Sequence, residues 1–346
     1  MKLLFYNNFD MRQAWQNWKD RTGPDQHLYG ANYLADEGID VKILRHKTGW
    51  VRQASRYGNL DQQTRVALQG FAYPVAYCGF FSDTRFLALL RNLRLIRTDL
   101  ISILHNPLER NESNENAIRE HWKISVLSGS LHAETISTWP EFKEKFAYIP
   151  WGADLRFYPE PDCAPKPEGY IVSVGATRRD FKTLAQAAKR SNRQFVICTP
   201  GESGLAKGEL PQNVTLHEKS FMSYTKTLKL YENSQAVAIP LDTPADYRGT
   251  QIGLSSLIEA MAIGKPVIMT HHPLIDIDIE AEGIGYWARS QDADSWEAAI
   301  EKITCDPKRA AAMGQRARRL CEEKYNSARY GRDLNQLFSG HRKFAA

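Results

Sequence analysis

The stretch QIGLSSLIEAMAIGKPVIMT, residues 251–270, changes its periodicity once. From Ile252 to Ala262 the apolar residues recur at helical spacing, with Leu254, Leu257, Ile258 and Met261 on one face. Gly264 supplies a stop and Pro266 prevents the helix from resuming. Pro266–Thr270 then follows as an apolar run of strand length. On the other side, Ala236–Leu241 (AVAIPL) is a second apolar run, joined to the helix by the polar loop Asp242–Thr250. Strand, loop, helix, turn, strand is the unit of a parallel sheet wrapped by helices.

The same alternation runs through the chain. Strands are expected at Lys2–Tyr6, Val41–Arg45, Asp99–His105, Lys123–Leu127 and Ala147–Pro150, with helices at Gln26–Asp36, stopped by Gly38, and Thr84–Arg97. Residues 159–169 carry four prolines in eleven positions and read as a linker. Beyond them come strands at Tyr170–Val174, Gln194–Cys198 and Val214–His217 and helices at Asp180–Lys189 and Phe221–Glu232. A further helix opens at Pro307 behind Asp306. The expected fold class is α/β: two Rossmann-like doubly wound parallel-sheet domains facing across a cleft. They cover 1–160 and 161–325, and a helical tail, 326–346, packs back on the first. In such sheets ligands bind beyond the carboxyl ends of the strands.

The totals narrow the class. With 346 residues, 42% hydrophobic and 25% charged, each half can bury a core. The apolar runs are broken before they could span a bilayer, and the apolar start to Tyr6 is too short for a signal peptide. Five scattered cysteines without a Cys-x-x-Cys pair form neither a metal site nor a disulfide framework and suit a reducing cytoplasm. Net charge is +5, but Lys42 to Arg97 holds ten basic residues against two acids, +8 by difference. A solvated basic face accounts for this, as does peripheral contact with an anionic inner membrane surface or a phosphorylated acceptor. The segment lacks the interleaved aromatics of a nucleic-acid stacking platform, so no nucleic-acid partner is expected.

Several strand ends carry candidate binding chemistry. The loop after Ala236–Leu241 contains Arg248, Gly249, Thr250 and Gln251. Gly249 and Gly253 permit close backbone approach at a helix start, where free amides favour an anion such as a diphosphate. Glu259 lies beside the helix's apolar stripe; it fits a solvated face, or a carboxylate gripping two vicinal hydroxyls of a ribose. After Tyr170–Val174 come Arg178 and Arg179, with Lys182 in the next helix's first turn. Cations oppose the dipole there, and guanidinium forks match phosphate oxygens. His105 closes the strand Asp99–His105 at an end where a ring can hydrogen-bond a substrate or simply be satisfied structurally.

Four segments together, SLIEAMAIGKPVIMT, VGATRRDFKTLAQA, ISILHN and YIPWGADLRFYPEP, resemble the retaining GT-B glycosyltransferases of family 4. The resemblance implies transfer of a sugar from a nucleotide-diphospho-sugar to a hydroxyl acceptor with retention at the anomeric carbon. That acceptor could be a glycan, an anionic or lipid-linked molecule, or a small molecule. It implies that Arg178 and Arg179, aided by Lys182, hold the diphosphate, that Glu259 holds the ribose and that His105 sits by the donor sugar. The family's first glutamate, on the donor-sugar hydroxyls, falls on Gln251, which keeps hydrogen bonding without the charge. It implies no cofactor and no metal, and the sequence has no aspartate-rich metal motif. A nucleotide-sugar epimerase, an inverting transferase and a non-catalytic nucleotide-sugar-binding partner subunit stay open alongside it.

Overall fold

The computed structural model describes residues 2–46, 58–70, 72–162, 164, 166, 168–206, 208, 210–219, 222–243, 247, 249 and 251–341. The chain divides into two compact units, one of Met1–Arg21, Asp25–Gly152 and Ser327–Ala346, the other of Thr22–Pro24 and Ala153–Asn326. The proline-rich stretch 159–169 therefore lies inside the second unit.

The first unit runs β1 (Lys2–Tyr6), α1 (Met11–Lys19), α2 (Ala31–Asp36), β2 (Asp40–Ile43), α3 (Leu60–Gln69), β3 (Val75–Cys78), α4 (Arg85–Asn92), β4 (Asp99–Leu104), α5 (Glu112–Glu120), β5 (His121–Val126), α6 (Gly129–Thr138) and β6 (Phe146–Tyr148). Among the described residues its six strands are ordered β2-β1-β3-β4-β5-β6, and every neighbouring pair is parallel. All six residues of β4 are buried, as a central strand covered on both faces requires.

The second unit runs β7 (Tyr170–Val174), α7 (Phe181–Arg190), β8 (Phe195–Cys198), β9 (Val214–His217), α8 (Tyr224–Glu232), β10 (Ser234–Ile239), α9 (Leu254–Ala262), β11 (Val267–Thr270), β12 (Gly285–Ala288), α10 (Ala293–Thr304) and α11 (Pro307–Glu323). Its parallel order is β12-β11-β10-β7-β8-β9. Phe181, Leu184, Phe195, Ile197, Trp296 and Ile300 belong to a core that α7 and α10 close over this sheet. The strand order reverses between β7 and β10, and it is beyond the carboxyl ends of the strands at such a switch that sheets of this kind bind ligands. The last helix, α12 (Ser327–Ser339), belongs to the first unit and lies on α2. The approach is close: a Cβ on Gly331 would come within 2.4 Å of the Tyr33 ring.

Two expected helices are shorter than their periodicity predicts. Gln26–Asp36 is a 3-10 turn, Gln26–Leu28, separated from α2 by Tyr29 and Gly30 at φ 49° and 75°. Thr84–Arg97 gives only α4, because Arg94 turns into the left-handed region at φ 57°. The Leu95 amide then closes on Leu90 O at 2.9 Å, a six-to-one helix stop made without glycine. The segment Phe221–Glu232 forms its helix from Tyr224, with Ser223 as the cap; Phe221 lies outside the described residues.

Candidate functional site

Beyond β7 the chain does not enter α7 directly. Arg179 pairs with Leu241 in an antiparallel bridge, Asp180 N donates to Pro240 O at 3.1 Å, and Asp242 N donates to Arg178 O at 3.0 Å. The basic loop is thus stitched along the exit from β10, at the two strands that flank the topological switch. Asp180 then caps α7 by accepting from Thr183 N at 3.1 Å, which satisfies an amide left open at the helix start.

This stitching separates the two arginines. Arg178, at φ 46°, turns its half-exposed side chain onto Asp242, donating to the backbone oxygen at 3.0 and 3.1 Å and to Oδ2 at 3.1 Å. Its guanidinium also lies 5.0 Å from the Tyr247 ring centroid. Arg179 turns the other way, under Gly175. Nη2 donates to Ser256 Oγ at 2.9 Å and Nη1 to Thr177 O at 3.1 Å. Nε is buried without a hydrogen-bond partner. Gly175 is required by this path: at φ 148°, its Cβ would stand 2.5 Å from Nη2 and 2.6 Å from Nε. Burial pulls the Arg179 pKa down to about 10, against the opposing influence of Tyr231 and Glu259. A guanidinium with one buried nitrogen left unpartnered has the donor capacity to take an anion.

Glu259 is half-buried on α9, three residues after Ser256 and therefore on the same face. Tyr231, on α8, is 1% exposed; burial first, and then the Glu259 charge, raise its pKa well above the phenol value. Tyr224 is pushed up to about 12 by the same two causes in the same order. Arg179, Ser256, Glu259 and Tyr231 therefore form one polar group within the second unit. Ser256 and Tyr231 are absent from the candidates drawn from the sequence. Ser256 could have been found as a polar residue one turn before Glu259 on a buried stripe, whereas no spacing points to Tyr231.

The start of α9 bears on the same group. Its cap is Gly253 at φ 85°, with no side-chain hydrogen bond to the first-turn amides. Gln251 is half-buried and donates from Nε2 to Leu274 O at 2.7 Å, tying the approach to α9 to the loop after β11. Gly249 lies against Tyr247, whose ring a Cβ there would strike at 2.6 Å. Arg248 and Thr250 lie outside the described residues. Lys182 is exposed in the first turn of α7.

His105 belongs to the first unit, just past β4. Nε2 lies 2.9 Å from Gly79 O; a carbonyl only accepts, so Nε2 carries the proton and Nδ1 is left as an acceptor. The ring stacks on Phe80 at 5.0 Å and meets Tyr29 edge-on at 5.8 Å. Burial lowers its pKa to about 4, so it is neutral at physiological pH. His27 nearby is lowered to about 4, by burial and by His105. Among the described residues no cluster of His, Cys, Asp and Glu could hold a metal ion, and no helix is long and apolar enough to cross a membrane.

Residues 162–320 match the family described as Glycosyl transferases group 1. The chain is 24% identical over 271 residues to the putative colanic acid biosynthesis glycosyltransferase WcaL of Escherichia coli (strain K12), covering 72% of this chain. The match spans 66% of that relative's length, just under two thirds. Among solved structures, sucrose-phosphate synthase from Thermosynechococcus elongatus superposes with a TM-score of 0.74 at 16% identity, over 100% of this chain and 99% of that one. Anabaena HepE in complex with UDP-glucose gives 0.67 at 13% identity, over 99% and 100%. Residues 162–320, just under half of the chain, are thus similar to the glycosyl transferases group 1 family, and the fold is the two-domain α/β fold of GT-B type.

Proposed function

We propose that the protein is a retaining, metal-independent glycosyltransferase that moves a sugar from a nucleotide-diphospho-sugar to a hydroxyl acceptor. The observation that carries this reading is Arg179. Its cation is held by Ser256 beside Glu259, at the switch between β7 and β10, facing a helix start without a side-chain cap. The diphosphate takes Arg179 and the open amides of α9, and the ribose hydroxyls take Glu259. HepE has been crystallised with UDP and with UDP-glucose, which supports a nucleotide of this kind as the donor. The WcaL name supports a saccharide acceptor.

In this mechanism the bond from the anomeric carbon to the diphosphate oxygen breaks. The bond to the acceptor oxygen forms on the same face, and the acceptor's proton passes to the departing phosphate oxygen. Negative charge grows on the leaving group, and preorganised donors stabilise it. No side chain serves as nucleophile. Neutral His105 offers Nδ1 to a hydroxyl of the donor sugar and is a binding group rather than an acid. Arg178 supports the loop through Asp242, and Gln251 orients the start of α9.

The test is a melting-temperature panel of nucleoside diphosphates and nucleotide sugars, since a ligand bound by the folded state raises the transition. It is followed by transfer to saccharide acceptors with and without EDTA and by assignment of the product anomer. A stabilising donor, transfer that survives EDTA and a retained anomer are expected. Inversion, or dependence on a divalent ion, would refute the corresponding part, and nucleotide binding without transfer would make the chain a partner subunit.

A further inference from the structure

Among the described residues three large apolar side chains are more than half exposed: Leu68 at 75%, Leu93 at 57% and Leu95 at 65%. All three lie at the carboxyl ends of two neighbouring helices. Leu68 is in the last turn of α3, and Leu93 and Leu95 follow α4, which packs against α3. Both helices end where β3 and β4 begin, so the leucines gather at the amino edge of the first sheet.

The charge there has one sign near the leucines. Residues 91–97 read RNLRLIR, with three arginines, three aliphatics and no acid. Arg91 anchors the segment, pairing with Asp99 at 3.0 Å and Glu120 at 3.4 Å. Those carboxylates, at the start of β4 and the end of α5, are therefore already engaged. Arg94 and Arg97 are exposed, on either side of Leu95. The left-handed turn at Arg94 gives this arrangement, because it ends α4 early and leaves Leu93 and Leu95 outside the helix's buried face.

We propose that this amino edge, through Leu68, Leu93, Leu95, Arg94 and Arg97, docks the first unit onto an anionic lipid surface. Leucines that insert among acyl chains while guanidinium groups stay at headgroup phosphates use both halves of each residue's chemistry. Exposed apolar side chains at one edge, interspersed with one sign of charge, mark an interaction face. Docking here leaves the carboxyl edge of the same sheet, where ligands enter, turned away from lipid.

The basic segment Lys42 to Arg97 is narrowed accordingly. Lys47, Arg52 and Arg56 lie outside the described residues, and Arg85 is turned inward to Asn114 Oδ1 at 2.9 Å. The inference sharpens the membrane contact read from the sequence and is independent of the transferase reading. Its assay contains no nucleotide, so the two fail separately.

The experiment is co-sedimentation of the full chain with vesicles of phosphatidylcholine alone or mixed with phosphatidylglycerol, at low and high salt. Binding only to the anionic vesicles, weakened by salt, is expected. The double variants Leu93→Ser/Leu95→Ser and Arg94→Gln/Arg97→Gln should each lower the partition coefficient by roughly tenfold or more with an unchanged melting temperature. No binding to anionic vesicles at low salt, or equal binding to both vesicle types, overturns the proposal. So does a soluble dimer in sedimentation velocity that the leucine pair abolishes, since the face would then belong to a second copy. The salt titration of the unmodified chain stands even if a variant folds poorly.

Discussion

Gly175→Ala tests the proposal that Arg179 holds the donor's diphosphate. The added Cβ would stand 2.5 Å from Nη2, 2.6 Å from Nε and 2.7 Å from Cζ of Arg179. Ordinary contact begins near 3.5 Å, so the guanidinium must retreat by about 1 Å. Its backbone cannot follow, because Arg179 is paired with Leu241. The 2.9 Å bond to Ser256 is then lost. A hydrogen bond to a charged group is worth about 1.5–3 kcal/mol, or roughly 10- to 150-fold in an equilibrium constant. The Cβ at this φ adds strain on the order of 1–3 kcal/mol, which lowers the melting temperature by a few degrees. The assay is calorimetric titration with the nucleoside diphosphate that stabilises the protein most, run on the single variants and on Gly175→Ala/Arg179→Ala. If glycine acts through the arginine, the double variant binds no more weakly than Arg179→Ala, whose own loss should reach about a hundredfold in turnover. Unchanged affinity in Gly175→Ala, or strict additivity in the double variant, would refute the reasoning.

Three further outcomes follow. Glu259→Ala should weaken nucleotide binding by about tenfold or more, the scale of losing a charged hydrogen-bond acceptor, and an unchanged dissociation constant would remove it from the site. Arg178→Ala should change the same constant by less than about threefold, because its guanidinium is held in an exposed pair with Asp242; a loss equal to that of Arg179→Ala would reverse the roles of the two arginines. In the first unit, burial lowers His27 and His105 to about 4 and His121 to about 3, so the unfolded chain takes up protons first as pH falls below about 6.5. Stability is complete above that value and is lost toward pH 4, by up to about 2 kcal/mol per ring at pH 5; a urea midpoint for this unit that stays flat from pH 7 to pH 5 would show that the rings are not buried neutral.

Two strands were legible to the residue: β7 (YIVSV) is a largely apolar run and β9 (VTLH) alternates apolar and polar, and the limits of both match the sequence reading. β3 was not legible: four residues between Pro74 and Gly79 hold too little pattern to separate from a loop. The expected helix at 26–36 failed because Leu28, Ala31 and Leu34 keep helical spacing while the backbone breaks at Tyr29 and Gly30. Periodicity records which residues are buried, not whether one helix carries them all. At the site, the Arg178-Arg179 pair was visible but its division of labour was not. Arg178 takes a left-handed turn at φ 46°, which no spacing in the sequence announces, and only the pairing of Arg179 with Leu241 fixes which of the two side chains meets Ser256.

Lys265, in the turn after α9, shows how the site is held from behind. It is 5% exposed, and Nζ donates to Glu232 O at 2.9 Å and Ser234 O at 2.8 Å. Those carbonyls lie where α8 ends and β10 begins, one residue beyond Tyr231 on the helix side. Arg318 of α11 does the corresponding work for α9, giving Nη1 to Ala262 O and also to Tyr158 O and Pro159 O, at 3.1 and 3.0 Å. Carbonyls at a helix end have no partner within the helix, and a cation there completes them while matching the negative end of the dipole. Each cation is thereby solvated by backbone oxygen rather than water, which makes its burial tolerable. The consequence reaches the other end of the same elements. With the carboxyl end of α9 fixed by Arg318 and that of α8 fixed through Lys265, neither helix can slide, and Glu259 and Tyr231 keep their places beside Arg179. The lysine between Gly264 and Pro266 thus reads as a strut for the carboxylate six residues before it.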